Sequence, residues 1–440
     1  MEGLHACILG KCKKPGAQKP PQGGSAGRWA QPLCTAGMQA VSSTCAAIGA
    51  GAYSTVYFPG ISLTSPHAPA VDRVSKVFDR DNGSMHCLAE WCRARLVGRL
   101  DPLRTFTVVM YGLGPLCPNP FTTVANDCVY QLSMAHGGLA LGTSPVSLAD
   151  MFAALGPLLL GLHTLHTAGL VHLDVKMNNL LYDPVAKKIN LVDFGQMRTV
   201  TDPFLFHKPS TDFQYYLENH LAKQVLVDSE AFTTGEANML ATAAEEARTD
   251  RWSCSLADFT ALYHGHMEYF IYPPEIRLYN HCHASAGAAG FSPSALAHCM
   301  HLYDVMCSWT FRKSWTRLTL AQHLLEKYGP GPYLDDLASL RYDSVLPQFQ
   351  EFARKIDPAR PDATKIDMYS LGATLLMVLS RSERTGGVTS LGVLNALMAL
   401  VRLLLDLDPT TRPSALAAHA QHAHLRSALS KPDPVVADAC

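Results

Sequence analysis

The chain has 440 residues, 48% of them hydrophobic and 17% charged, which is enough apolar material for two domains or one large two-lobed one. A formal net charge of −1 leaves no overall basic excess of the kind that points to nucleic acid or to an anionic membrane. Thirteen cysteines, scattered without a repeating framework, read as the reduced thiols of an intracellular protein.

In chain order, residues 1–44 carry stretches such as KKPGAQKPPQGGSAG. That composition buries too little apolar surface to order itself, so a flexible tail is expected. The start of the chain lacks a basic segment followed by an apolar core, and no secretory signal is expected there. Over 45–134 short β-prone runs (STVYF, DRVSKVF, RTFTVVMYG, DCVYQLS) surround one helical stretch, HCLAEWCRARLVGRL. The pattern predicts a small N-terminal lobe with one sheet and one helix.

From 135 to 425 helical periods dominate, and a larger C-terminal lobe is expected. Ser147 is placed to cap a helix through MFAALGPLLLGLHTLH, which Pro157 bends. Between Gln196 and Asp362 helix-like segments alternate with Gly/Pro loops, and the pattern returns at KIDMYSLGATLLMVLS and LNALMALVRLLLDLDPTTRPSALAAH. Residues 426–440 read as a short tail. The most apolar runs, 151–171 and 391–407, carry His, Arg or Asp within helical periodicity. Buried helices of a soluble protein are expected there, and no membrane partner.

Four features carry chemistry. In IGAGAYSTVYF, Gly49 and Gly51 stand where a hairpin folding over phosphates needs backbone without Cβ interference. In DRVSKVF, Lys76 lies mid-strand, as either a solvent-facing lysine or a fixed cation for polyphosphate. Glu90 is the only glutamate between Lys76 and Leu100, and sits in the single helix of this lobe. VHLDVKMNNLL then places Asp174, Lys176 and Asn179 in one short loop, and KINLVDFGQ ends an apolar strand in Asp193-Phe194-Gly195. Phosphoryl transfer gives each a use: a carboxylate for the acceptor hydroxyl, a cation for the transferred group, and hard oxygen ligands for Mg²⁺ on ATP.

With that set in order, the chain resembles the eukaryotic-type protein kinases from about residue 45 to about residue 425. The resemblance implies a two-lobed α+β fold with ATP and Mg²⁺ bound between the lobes. It makes Asp174 the catalytic base, Lys176 the phosphate-facing cation, and Asn179 and Asp193 the metal ligands. Lys76 would hold the α- and β-phosphates and pair with Glu90, while Val56, Val74 and Leu181 would sandwich adenine. YPPEIRL is similar to the A-P-E element through Pro274-Glu275, IDMYSLGATLL to the D-x-x-S-x-G helix start through Asp367, Ser370 and Gly372, and Arg412 would pair with Glu275. Lys176 resembles the Ser/Thr-directed class, so proteins bearing Ser or Thr hydroxyls are the expected substrates.

Three departures stand out. Leu173 precedes Asp174 where kinases ordered by activation-loop phosphate carry arginine, so activity without such phosphorylation is expected. The gaps from Asp193 to Glu275 and on to Asp367 exceed what the family needs and imply insertions. Ser54 replaces the last loop glycine. These features together resemble the Ser/Thr kinases encoded by herpesviruses, which implies a nuclear enzyme packaged in the virion tegument. Two rival readings are a pseudokinase scaffold and a small-molecule phosphotransferase of similar fold. Outside the set, His281, Cys282, His283, His298, Cys299 and His301 are zinc-capable donors whose spacing matches no metal pattern. The histidines of HAQHAHLRS read as a solvated helix face.

Overall fold

In the computed structural model the residues described are 46–50, 54–61, 69–70, 72–78, 80–116, 129–144, 146–200, 273, 324–340, 362–384 and 390–430. The expected tail over 1–44 and the His/Cys cluster at 281–301 lie outside them.

The chain opens with strands β1 (Ala46–Ala50) and β2 (Ser54–Phe58), the short pair β3 (Gly60–Ile61) and β4 (Pro69–Ala70), and β5 (Arg73–Phe78). Helix α1 (Arg80–Leu100) follows, then β6 (Met110–Leu116) and β7 (Val129–Ala135). Five of these form one antiparallel sheet in the order β1-β2-β5-β7-β6. From Val74 to Phe78 every residue of β5 is buried, so this central strand is covered on both faces and Lys76 has no open solvent to reach.

The run RTFTVVMYG behaves differently from its β-prone reading: β6 begins only at Met110. Residues 104–107 instead wrap around the buried carboxylate of Asp101. It accepts the amide N–H groups of Thr105, Phe106 and Thr107 at 2.8–3.0 Å, together with both threonine hydroxyls. These bonds outweigh the burial that opposes ionisation and hold the Asp101 carboxyl below its ordinary range. A local carboxylate has won the backbone donors that a ladder would have used. Phe106, presented by this loop, packs so closely on Gly161 that a Cβ there would lie 2.1 Å from its ring.

Beyond the small strand β8 (Leu139–Ala140) comes α2 (Leu148–Thr167). Its cap is reciprocal: Ser147 Oγ accepts the Asp150 N–H at 3.0 Å and donates to the Asp150 carboxylate at 2.7 Å. Pro157 lies inside a continuous helix, on its exposed side. Length and apolarity would let α2 cross a bilayer, but most of its apolar surface is buried inside the protein. Strands β9 (Leu170–Val171), β10 (Leu180–Asp183), β11 (Lys188–Leu191) and β12 (Arg198–Thr199) form short antiparallel pairs: β10 lies between β11 and β8, and β12 pairs with β9.

Helices α3 (Pro332–Ser339), α4 (Thr364–Arg384), α5 (Leu391–Leu404) and α6 (Ala415–Leu429) complete the described chain. One apolar cluster runs from Ala94 and Val97 of α1 through α2 to Ala418 of α6. The mixture of helix and antiparallel sheet is α+β. Helix α6 runs to Leu429, past residue 425 where the pattern places the end of ordered helix. Its histidines are not all solvated: His422 is 2% exposed, donates from Nε2 to the Phe152 carbonyl at 2.7 Å, and makes a tilted contact with the Phe152 ring. A period-3.6 count over a short, Ala-rich stretch could not show which histidine faces α2.

Candidate active site

Strand β5 delivers Lys76 and helix α1 delivers Glu90 to the same point. The Lys76 ammonium lies 2.6 Å from Glu90 Oε2 and 3.0 Å from Asp193 Oδ1, and the lysine is 9% exposed. One cation is thus shared by two carboxylates. Burial opposes the Lys76 charge, but Asp193 and Glu90 outweigh it and hold the ammonium above its ordinary range. Burial pushes Glu90 up to about 7, since the pull of Lys76 is partly cancelled by the Asp193 charge. Desolvation also opposes ionisation of Asp193, yet Lys76 prevails there and the carboxyl falls to about 2.

The loop between β9 and β10 holds the second group. Lys176 Nζ donates to Asp174 Oδ2 at 2.8 Å. Asn179 spends both amide hydrogens on the same residue, one on the Asp174 main-chain carbonyl at 2.9 Å and one on its carboxylate at 2.8 Å. That leaves the Asn179 side-chain oxygen as the acceptor end of its amide. Burial pushes the Asp174 carboxyl up, beyond the opposing pull of Lys176, which makes it a stronger base. His172 is buried, and burial lowers its pKa, so its ring is neutral. Nδ1 accepts the Asp174 N–H and Nε2 donates to the Val192 carbonyl, both at 3.2 Å, which assigns the tautomer from its partners.

This loop is strained where it turns. Leu173 has φ 62°, a left-handed conformation rare for a γ-branched residue, and beyond β11 Asp193 has φ 67°. What holds the first is Asp367 at the start of α4. Its buried carboxylate accepts the N–H groups of His172 and Leu173, each at 2.8 Å, and lies 3.0 Å from His166 Nε2. Burial works against ionisation of Asp367, but His166 and these amide donors hold its carboxyl below the usual range.

Of the residues expected around a nucleotide, Val56, Val74 and Lys76 share one side of the five-stranded sheet. Val56 pairs with Lys76 across β2 and β5, Lys76 pairs with Leu132 on β7, and Val74 lies two residues from Lys76. Leu181 packs beside Gly137, where a Cβ would come within 3.0 Å of its side chain. Gly49 is exposed in β1, and a Cβ on it would meet nothing closer than Val56 at 4.0 Å. No protein atom therefore requires glycine at that position. Gly51, Pro274 and Glu275 lie outside the described residues. Arg412, expected to pair with Glu275, is 1% exposed and donates to the carbonyls of Asp406, Lys365 and Leu407.

Three participants were not singled out from the sequence. Arg93, one helical turn after Glu90 on the same face of α1, donates to the Gly195 carbonyl at 2.5 Å and ties the helix to the Asp-Phe-Gly turn. The i, i+3 spacing was the available signal. His166 sits six residues before His172, and nothing local links either to Asp367, about two hundred positions on. Asn190 donates to the Gly137 carbonyl at 2.8 Å, tying the segment after β7 to the strand that carries Asp193.

Residues 132–262 match the protein kinase domain family. The matched span holds the Asp174 loop and Asp193 and leaves Lys76 and Glu90 before it, where the structure nevertheless brings them to Asp193. No curated protein matches the chain. The match supports a protein kinase enzyme, and kinases of this family generally use ATP with Mg²⁺ to phosphorylate proteins. The donor set suits that pair of ligands: the Asn179 side-chain oxygen and the Asp193 carboxylate are hard oxygen donors, and Lys76 is a desolvated cation paired with Asp193.

Proposed function

We propose that the protein is a serine/threonine protein kinase. Residues 45–134 and 135–425 would form its two lobes, and proteins with Ser or Thr acceptors would be its substrates. The observation that carries this reading is the shared ammonium of Lys76, which joins a central strand, helix α1 and the Asp193 turn at one point. ATP bound with Mg²⁺ supplies the transferable phosphoryl group. Asp174, raised by burial, orients the acceptor hydroxyl and takes its proton. Lys176 meets the charge developing on the transferred group, and Asn179 and Asp193 hold the metal. Lys76 binds the α- and β-phosphates, oriented by Glu90, while Gly49 and Gly51 let backbone approach them. Val56, Val74 and Leu181 enclose the base.

Leu173 supports activity without activation-loop phosphorylation. It is buried, and it puts no guanidinium beside Asp174 that a loop phosphate could recruit. The H-L-D-x-K-x-x-N loop and the long interval before Asp367 favour the herpesvirus-encoded branch of the family, acting in the nucleus and carried in the tegument. Nucleic acid and membrane are not expected partners.

Purified protein and its Asp174→Asn form, incubated with labelled ATP, Mg²⁺ and a mixed protein extract, test the reading. The parent should label Ser and Thr, and the variant should be slower by about 10²–10⁴-fold. Equal labelling would remove Asp174 from its role. A parent that binds nucleotide but never turns it over would be a pseudokinase scaffold instead.

A further inference from the structure

Helix α4 touches the catalytic loop along one stripe. Asp367 accepts the N–H groups of His172 and Leu173, and Thr374, seven residues on, donates to the Val175 carbonyl at 3.0 Å. Seven residues are close to two helical turns, so the next position on that face is Arg381. Its guanidinium indeed lies beside the next part of the loop. Around the point where a side chain on Gly142 would begin, Asn178 Oδ1 is at 3.1 Å, Met177 Cβ at 3.4 Å and Arg381 Nη1 at 3.9 Å.

The stripe changes character along its length. Asp367 and Thr374 are fully buried and have hydrogen-bond partners, whereas Arg381 is exposed. Among the described residues no carboxylate comes within ion-pair distance of Arg381. Asn178 is also exposed, and its side chain makes no hydrogen bond among the described residues. Asn178 directly precedes Asn179, which is bonded to Asp174, so this notch opens next to the group proposed to receive the acceptor hydroxyl. Gly142, buried and without a side chain, forms its floor.

We propose that Gly142, Asn178 and Arg381 form a substrate subsite that takes an anionic side chain flanking the acceptor hydroxyl. This inference rests on the kinase reading and narrows it to acidic substrates. A planar guanidinium suits a carboxylate or a phosphate, with two parallel N–H donors. The anion can come from Asp or Glu, or from a residue phosphorylated beforehand.

The test uses the full chain and one serine-acceptor peptide carrying Asp, phosphoserine, Asn or Lys in turn at each of the three positions on either side. With the parent, an acidic residue at one flanking position should raise kcat/KM by about 3- to 10-fold over Asn, more for phosphoserine, and added salt should erode the gain. Arg381→Glu should invert the order so that Lys is preferred at that position, Arg381→Lys should keep part of the gain, and Gly142→Leu should abolish it by filling the notch. Arg381→Gln serves should charge reversal disturb folding, and it should level the series. An acidic preference unchanged in Arg381→Glu or Arg381→Gln, or no preference in the parent, overturns the subsite while leaving the kinase reading in place. Failure of the parent to label any peptide or any protein of the extract overturns both.

Discussion

The two halves of the candidate site are held by opposite means. On the Asp174 side, a fully buried carboxylate, Asp367, is met by two amide donors and a histidine, and its pKa is lowered as a result. The amides of His172 and Leu173 both donate to this one carboxylate, which fixes the strained Leu173 turn. On the Lys76 side, one ammonium serves two carboxylates, and Glu90 is pushed up to about 7 by burial and by the charge of Asp193. That arrangement is electrostatically under-supplied with positive charge. The contrast teaches where each half draws its order: from saturated hydrogen bonds in one, from a contested cation in the other. A site that must admit a polyanion and its metal gains from leaving the second half unsaturated.

The comparison breaks most visibly at Asp367. Asp367→Ala removes the acceptor of two buried amide groups and of His166, and should lower stability by about 3 kcal/mol, read from denaturant unfolding. Phosphotransfer should fall with it, because Asp367 accepts both amide donors of the Leu173 turn. A variant of parental stability would show that the turn is held by other means.

A smaller loss is expected at His422, which ties α6 to α2 on the far side of the same core. His422→Ala removes one hydrogen bond and a ring contact, for about 1–2 kcal/mol. Burial lowers the His422 pKa below 6.5, so the native state binds fewer protons than the unfolded chain. Its contribution is therefore fully present above pH 6.5 and declines as pH falls below that value. The stability gap between parent and variant should narrow on acidification, and a gap that widens would reverse the assignment.

The least costly change sharpens the other half. Glu90→Gln keeps an acceptor for Lys76 but removes the charge. With its folded pKa near 7 against an ordinary 4.5, Glu90 binds more protons in the native state across that interval. Its ionisation costs stability as pH rises from about 4.5 to 7. Thermal unfolding should show the variant gaining on the parent over this window and holding its advantage above it. Parallel pH profiles would mean that Lys76 is not contested.

Much of the site was legible because its parts are local. Asp174, Lys176 and Asn179 lie within six residues, and a loop that short must present them together. Lys76 and Glu90 were pairable because no other glutamate competes over that stretch. The strand before Asp193 and the Ser147 cap were likewise visible as an apolar run and a local hydroxyl. RTFTVVMYG was not, because Asp101 is a stronger organiser of residues 104–107 than β-propensity. For Arg412 the expected partner was Glu275, and the carbonyls that surround it were not legible because they come from α4 and from a turn, which no pattern brings together. The Arg381 stripe was invisible for a related reason: a seven-residue repeat has meaning only once the face it defines is known to lie on the catalytic loop.

By itself the sequence determined which elements form and which reactive groups share a loop, since both depend on spacing along a chain of fixed geometry. The tertiary structure decided charge and commitment. Lys76 reaches Glu90 across 14 positions and Asp193 across 117, and only their meeting in a desolvated interior raises one carboxyl while lowering the other. Coulomb energy and desolvation depend on separation in space and on the surrounding medium, and neither quantity is written in the order of the residues.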